Sequence, residues 1–432
     1  MTRWAVGFGH VGGYDAYMTR GAELMCTGTE LLIGRTVNTH VQRLALALEP
    51  LGLELTRETS VPDHRETIAK ALREARTRSE ILFVTGGLGP TNDDVTREAV
   101  ADVLGRSLRR DPESLERIRQ RCLRLGQAFT ESRQRQADVV DGAVVLTNPV
   151  GAAPGERIEL EDGRVWFLLP GPPREFEAIL ETQVLPWLAV HRPGRPRLRR
   201  LWMVCGLGES DVMEVLKQAG FEPGPLELAW CAAPGALEVR LTAEPEHADW
   251  LERAAQVVRA ALGPHVYAEE RLDLVEVVAR QLRSRGATLA VAESCTGGWL
   301  AARLTTYPGS SDWFRGGIVA YANEVKIQQL GVPEPLLATH GAVSEAVALA
   351  MARGVRERLG ATIGVGITGI AGPTGGTPEK PVGLVWWAVA DETGAAAVSR
   401  RFPGDRELVR RWAAQFALDH VRRRLLGLPP VA

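Results

Sequence analysis

The chain has 432 residues, 45% hydrophobic and 24% charged, with a formal net charge of −2 at pH 7. That length exceeds one ordinary domain and the balance is globular, while near-neutrality excludes bulk attraction to nucleic acid or to an anionic membrane. Cys26, Cys122, Cys205, Cys231 and Cys295 are scattered without a CxxC pair. Neither a zinc site nor a disulfide framework is indicated, and a reduced, cytoplasmic setting is expected. No apolar run is long enough to span a bilayer, and the first residues lack the hydrophobic segment of a signal peptide. Almost every cation is arginine; the lysines are Lys70, Lys217, Lys326 and Lys380. Arginine keeps its proton in a protein, whereas a buried lysine can lose it and act as a base, so each retained lysine is a candidate for that role.

Residues 1–21 read as a loose extension, with Met18 a candidate start. Residues 22–190 alternate strand and helix patterns. A strand begins at Glu23, and Val41, Leu44, Ala45, Leu48 and Leu51 fall at helical spacing within 38–51. Residues 53–61 read as a strand. Asp63 with Glu66 reads as a capping box opening a helix over 65–76. Residues 81–84 form a buried strand that GGLGPTNDD links to a helix over 95–104, and the strand 165–169 ends in PGPP. This order implies a parallel sheet covered on both faces. HRPGRPRLRR, 191–200, reads as a linker. Residues 200–265 give strand, helix (210–218), two strands (226–231 and 236–242) and helix (248–262), a KH-like unit. Its CGLGES lacks the GxxG that clamps a nucleic-acid backbone, so it is expected to be a spacer or dimerisation module with no direct nucleic acid contact. Residues 270–430 alternate again. Helices are expected over 274–285, 323–330, 345–359 and 405–426, the last with Asp405 as N-cap; strands are expected over 287–291, 317–321, 363–368, 383–390 and 396–402. The fold class is α/β: two α/β domains with mostly parallel sheets joined by a small α+β KH-like domain.

The chemistry concentrates where strands end. AESCTGG, 292–298, places Ser294 at a strand-to-helix turn. No histidine-based triad signature accompanies it. Lys326 and Tyr321, in YANEVK, follow another strand, and the carboxyl ends of parallel strands share one crevice. A Ser–Tyr–Lys constellation can therefore form, with a desolvated lysine taking the serine proton and tyrosine relaying it or holding the geometry. Thr296, Gly297 and Gly298 open a helix whose amides can bind phosphate or an oxyanion. Gly369 begins a second glycine loop, Ser310 offers a hydroxyl, and Arg406 starts another helix where it can meet an anion. Each piece has a plainer reading: a turn serine as a cap, an exposed lysine, glycines that only satisfy turns. Cys295 is a rival nucleophile without a base. In the first domain, Gly86, Gly87, Gly89 and Thr91 of GGLGPT present amides to a diphosphate. Asp93 and Asp94 follow at once, with Glu30 in the first βα turn, and these oxygen ligands suit a divalent cation, Asp93 and Asp94 being the metal candidates. The competing reading has Thr91 or Asp93 merely capping the helix near Val95.

AESCTGGWLAARLT, PGSSDWFRGGIVAYANEVKIQQLGV, HGAVSEAVALAMA, GITGIAGPTGGTPEKPVGLVWWA and FPGDRELVR closely resemble the nicotinamide mononucleotide (NMN) amidohydrolase domain of the CinA (competence/damage-inducible protein) family. The resemblance implies Ser294 as nucleophile, Lys326 as general base and Tyr321 as its partner, with NMN and water giving nicotinic acid mononucleotide and ammonia, and no cofactor. TGTELLIGRTVNTH, TGGLGPTNDDVTREA, NPVGAAPG and LLPGPP resemble the same family's N-terminal half, which is similar to molybdopterin-binding domains. That half is linked to hydrolysis of ADP-ribose to AMP and ribose phosphate with a divalent metal cation. GAAPG departs from the more usual GTAPG, so Ala152 offers no hydroxyl. The resemblance further implies a homodimer, and both activities would recycle pyridine nucleotides. The family's name keeps open an interaction protein for DNA uptake or repair.

Overall fold

The computed structural model describes residues 21–431. The extension expected over 1–21 lies outside them except for Gly21, which opens the first strand. The chain divides into two compact units, residues 1–196 and 197–432.

The first unit is built on β1 (Gly21–Thr27), β2 (Glu54–Val61), β3 (Ile81–Thr85), a small antiparallel ladder of β4 (Leu108–Arg110) and β5 (Asp138–Val140), then β6 (Val144–Leu146), β7 (Gly155–Glu159) and β8 (Val165–Leu169). The main sheet runs β2-β1-β3-β8-β7-β6; the first three pairings are parallel and the last two antiparallel. Every residue of β3 and β8 is buried, as a strand covered on both faces requires. Alternate residues go to opposite cores. Met25, Leu82, Val84, Trp166 and Leu168 pack with Ile68 and Leu72 of the helix Arg65–Arg76. Leu24, Cys26, Phe83 and Phe167 pack with Leu44 and Leu48 of the helix His40–Leu48. The expected capping box does not form. His64 is the N-cap of Arg65–Arg76 and makes no side-chain cap, while the Asp63 carboxylate accepts the Thr29 amide at 2.8 Å. Asp63 is drawn off because that bond ties the loop after β2 to the turn after β1.

The second unit contains two sheets. The strands β9 (Leu198–Val204), β10 (Glu227–Ala233), β11 (Ala236–Ala243) and β12 (Val266–Ala268) form an antiparallel sheet in the order β10-β11-β9-β12, covered by the helices Glu209–Gln218 and Ala248–Leu262. This is the KH-like element. The remaining strands are β13 (Leu289–Glu293), β14 (Phe314–Val319), β15 (Ile363–Gly369), β16 (Leu384–Asp391) and β17 (Gly394–Arg401), ordered β14-β13-β15-β16-β17. Here β13 pairs in parallel with β14 and β15, and β16 and β17 extend the sheet antiparallel. On one face Leu289, Val291, Val365 and Ile367 pack with the helices Leu274–Ser284 and Arg406–Leu425; on the other, Ala290 and Ala292 meet Val347, Met351 and Val355 of Glu345–Arg358. The helix Arg406–Leu425 carries an Asp405 N-cap as expected, the carboxylate accepting the Leu408 amide. Arg422 and Arg423 of that helix are buried; both pair with Asp419 and both donate to the Pro264 carbonyl of the KH-like element. No helix among the described residues is long and apolar enough to cross a membrane.

One buried ion pair braces the first unit. The Arg97 guanidinium bonds Glu156 at 2.9 Å and also donates to the Leu88 and Pro154 carbonyls. Burial pushes the Glu156 carboxyl up on balance, with Arg97 pulling it back. Removing one partner strands the other charge in the interior, so Arg97→Met is expected to cost about 3–5 kcal/mol. A lowered urea midpoint for the first unit checks this.

Candidate active sites

Both sheets place chain reversals at equivalent points. In the first, β1 is followed by β2 on one side and flanked by β3 on the other; in the second, β13 is flanked by β14 and β15. Ligands of open α/β sheets gather at the carboxyl ends of strands beside such a switch.

In the second unit Ser294 directly follows β13 and is 8% exposed. Its amide donates to the Ile367 carbonyl of β15 at 2.9 Å, and its carbonyl accepts the Gly297 amide at 3.0 Å. Gly297 and Gly298 have φ of 60° and 90°, a left-handed pair that glycine adopts without strain and that folds the chain back into the helix Trp299–Thr305. Across the strand pairing, Ala320 donates to the Glu293 carbonyl at 2.8 Å, so the segment after β14 lies beside the start of the serine turn. Lys326, in the first turn and a half of the helix Asn323–Leu330, is 1% exposed. Its Nζ donates to the backbone carbonyls of Ala320 and Tyr321, both at 2.9 Å. Desolvation pulls its pKa below the ordinary lysine value; Cys295 and Glu324, which favour the charged form, offset this only in part. Burial pushes the Cys295 thiol up to about 12, which disfavours it as a rival nucleophile.

The other expected residues are distributed differently. Tyr321 lies two residues beyond β14, is 61% exposed, and its phenol accepts from Arg406 Nη2 at 3.0 Å. Lys326 is engaged by the Tyr321 carbonyl rather than by its phenol. Arg406 also donates to the Gly372 carbonyl at 2.6 Å, tying the second glycine loop to the same place. The helix amides after Thr296–Gly298 are already taken: the Glu293 carboxylate accepts from Gly298, Leu300 and Ala301 at 3.1, 3.1 and 2.8 Å. A second anion is unwelcome there, which overturns the cradle expected from Thr296, Gly297 and Gly298. Thr296 itself is wholly enclosed, its hydroxyl without a partner and its carbonyl bonded by Arg410. Ser310 precedes β14, whereas Ser294 follows the parallel β13. A strand length of roughly 15 Å separates those ends, so Ser310 belongs to the opposite edge of the sheet. Gly369 serves strand packing: a Cβ there would come within 2.8 Å of the Leu384 carbonyl. Glu293 and Arg410 went unread in the sequence. The one signal was a glutamate ending an apolar strand, because a buried carboxylate needs partners.

In the first unit a cavity of about 610 Å³ opens at the carboxyl ends of β1, β3 and β8. Glu30, Gly86, Gly87, Gly89, Asp93 and Asp94 line it, joined by Asn38, His40, Asp63, Arg121, Gln136 and Glu175. Thr91 acts through Asp94, whose Oδ2 accepts both the Thr91 amide and hydroxyl at 2.8 and 2.5 Å. The same threonine holds the Asp93 carboxyl below its ordinary range. Neither Thr91 nor Asp93 caps the following helix Thr96–Leu104, whose N-cap is Val95 without a side-chain bond. Ala152 faces the cavity from a loop shaped by Asn148, which bonds the Ala153 carbonyl and Glu175. Burial pulls the His40 pKa below the ordinary imidazole value, while its Nε2 lies against the Gly171 carbonyl at 2.8 Å. Among the lining residues, five carboxylates (Glu30, Asp63, Asp93, Asp94, Glu175) face one guanidinium, Arg121. No three metal-binding side chains converge among the described residues. A magnesium-type cation that keeps waters and shares one or two carboxylates with ligand phosphates fits such a rim; one needing an all-protein cage does not.

Comparison with known proteins follows the same divisions. Residues 23–190 match the family described as probable molybdopterin binding domain, 199–268 the damage-inducible protein CinA KH domain, and 271–425 the CinA C-terminal domain. Fold and sites thus define a modular α/β protein with a molybdopterin-binding-like domain, a KH-like module and a second α/β domain. A CinA-like protein of Gemmatimonas aurantiaca is 43% identical over 410 residues, covering 93% of this chain and 95% of its own. A putative competence-damage inducible protein of Symbiobacterium thermophilum is 42% identical over 421 residues, covering 94% and 99%. The chain belongs to the CinA family. Among solved structures, a CinA superfamily protein from Klebsiella pneumoniae is 38% identical, covering 36% of this chain and 99% of its own, with a TM-score of 0.35.

Proposed function

We propose that the C-terminal domain hydrolyses the carboxamide of NMN to nicotinic acid mononucleotide and ammonia, with Ser294 as nucleophile and Lys326 as general base. The observation that carries this reading is the environment of Lys326. A neutral amine has two hydrogens and one lone pair. The Ala320 and Tyr321 carbonyls account for the two hydrogens and leave the lone pair free, and Cys295 of the serine turn is near enough to act on the amine's charge. Lys326 takes the Ser294 proton as the hydroxyl attacks the carboxamide carbon, then passes it to the departing nitrogen, which leaves as ammonia. Water, activated by the same amine, releases the acid from the acyl-enzyme. Arg406, held by Gly372 and carrying the Tyr321 phenol, is the cation that meets the phosphate; Tyr321 anchors it rather than relaying a proton.

For the N-terminal cavity the reading is cleavage of ADP-ribose with a divalent cation. A diphosphate entering a rim of five carboxylates and one guanidinium needs cations to offset the repulsion. When bound, the metal neutralises phosphate charge and polarises the scissile oxygen. Asp93 and Asp94, on the cavity wall, are the side chains that would share it, and the glycine loop at Gly86, Gly87 and Gly89 would let the backbone approach the ligand.

Purified protein should release ammonia from NMN. Ser294→Ala should abolish the reaction, Lys326→Met should slow it roughly 10²–10⁴-fold, and Tyr321→Phe should raise KM more than it lowers kcat. Silence of the wild-type protein towards NMN would sink the amidase reading and favour an interaction protein. Because the neutral form of Lys326 is the active one and burial lowers its pKa, kcat should rise with pH and level off below the ordinary lysine value of 10.5. A profile still rising through that value would contradict the assignment. Chelator and Asp94→Ala should each stop ADP-ribose cleavage while NMN hydrolysis persists; loss of both activities with chelator would refute separate sites.

A further inference from the structure

The turn that carries Ser294 is short and glycine-rich, and two groups outside it fix its shape. Glu293, the last residue of β13, is wholly buried, and its hydrogen-bond partners are three backbone amides beyond the turn, at Gly298, Leu300 and Ala301. Its two oxygens therefore close Ser294–Gly298 into a ring bounded by the strand below and the helix Trp299–Thr305 above. From the other side Arg410 donates Nε and Nη2 to the Thr296 carbonyl at 3.1 and 2.8 Å, with its guanidinium carbon 5.5 Å from the Trp299 ring centre. Arg410 lies one helical turn beyond Arg406 on the helix Arg406–Leu425. The glycines at 297 and 298 supply freedom, and these two side chains remove it.

We propose that Glu293 and Arg410 are positioning residues of the amidase site, holding the serine turn in the shape that presents the Ser294 hydroxyl to the carboxamide. This rests on the amidase reading above. Neither side chain needs to touch substrate. Glu293 acts by holding the Gly298, Leu300 and Ala301 amides; Arg410 acts by holding the Thr296 carbonyl, whose peptide carries the Gly297 N–H that closes the turn onto the Ser294 carbonyl. A pre-set nucleophile helps attack more than it helps binding, because the serine oxygen must meet the carboxamide carbon in line only on the way to the transition state. Their loss therefore belongs in kcat rather than KM.

The test is steady-state ammonia release from NMN by the full chain, with Glu293→Gln and Arg410→Ala compared with wild type and thermal melting followed in parallel. Gln keeps the shape of Glu293 but presents a donor where an acceptor is needed. Both variants are expected to lose at least tenfold in kcat while KM stays within threefold, and Arg410→Ala is expected to melt close to wild type. Should Glu293→Gln fail to fold, Arg410→Ala decides by the same criteria. A kcat within threefold of wild type in the folded variants, a change confined to KM, or a loss that only tracks the unfolded fraction would overturn the proposal. An inactive wild-type protein would instead remove the amidase reading on which it rests, so the two failures are told apart.

Discussion

A lysine buried to 1% exposure with only two peptide carbonyls as partners is costly to keep charged. Taking an ammonium out of water penalises the charged form, and no carboxylate pairs with it here among the described residues. The fold accepts that cost at the mouth of a parallel strand pair, in the segment that lies beside the start of the Ser294 turn. The sheet order brings the segments that carry the lysine and the serine side by side. With β14 and β15 on either side of β13, whatever follows β13 is boxed between the segments that follow its neighbours.

The helix Arg406–Leu425 holds the second unit together. At its start Arg406 and Arg410 reach the glycine loop and the serine turn. Towards its end Arg422 and Arg423 reach the carbonyls around Pro264. Between them every residue from Ala413 to Arg423 is buried, the signature of a helix surrounded on all sides. Two guanidiniums on one buried aspartate leave an excess of positive charge, and the peptide carbonyls of the KH-like element and of Pro429 absorb it. The KH-like module is thus anchored to the CinA C-terminal domain through charged groups rather than apolar ones alone.

Much of this was legible in the residues. Continuous apolar runs such as residues 81–84 and 165–169 are read directly as buried strands, and the pleat of the sheet then sorts their side chains into two cores. The serine turn and the rare lysine stand out for local reasons: a strand–turn–helix pattern, and a cation type that the rest of the chain avoids. Three-dimensional competition hid the rest. Asp63 has the spacing of a cap but is claimed by the Thr29 amide across the sheet. The helix after Gly298 has the look of an anion site, yet Glu293, five residues earlier, fills it from below. Ser310 is close to the serine turn in sequence but a strand's length away in space. The helix expected over 405–426 gave no sign of its enclosure, because its cations meet Asp419 and backbone carbonyls contributed from far along the chain.

Everything proposed for the serine site rests on the protonation of one amine, and the chain makes that amine directly observable. With four lysines in the whole sequence, ε-¹³C-labelled lysine gives a spectrum of four side-chain signals, and Lys326→Met assigns the one that matters. Followed from neutral to alkaline pH, the Lys326 signal should titrate well before those of Lys70, Lys217 and Lys380. Co-titration with the other three would mean that the buried amine is as fully protonated as any surface lysine, and the general-base account would be wrong.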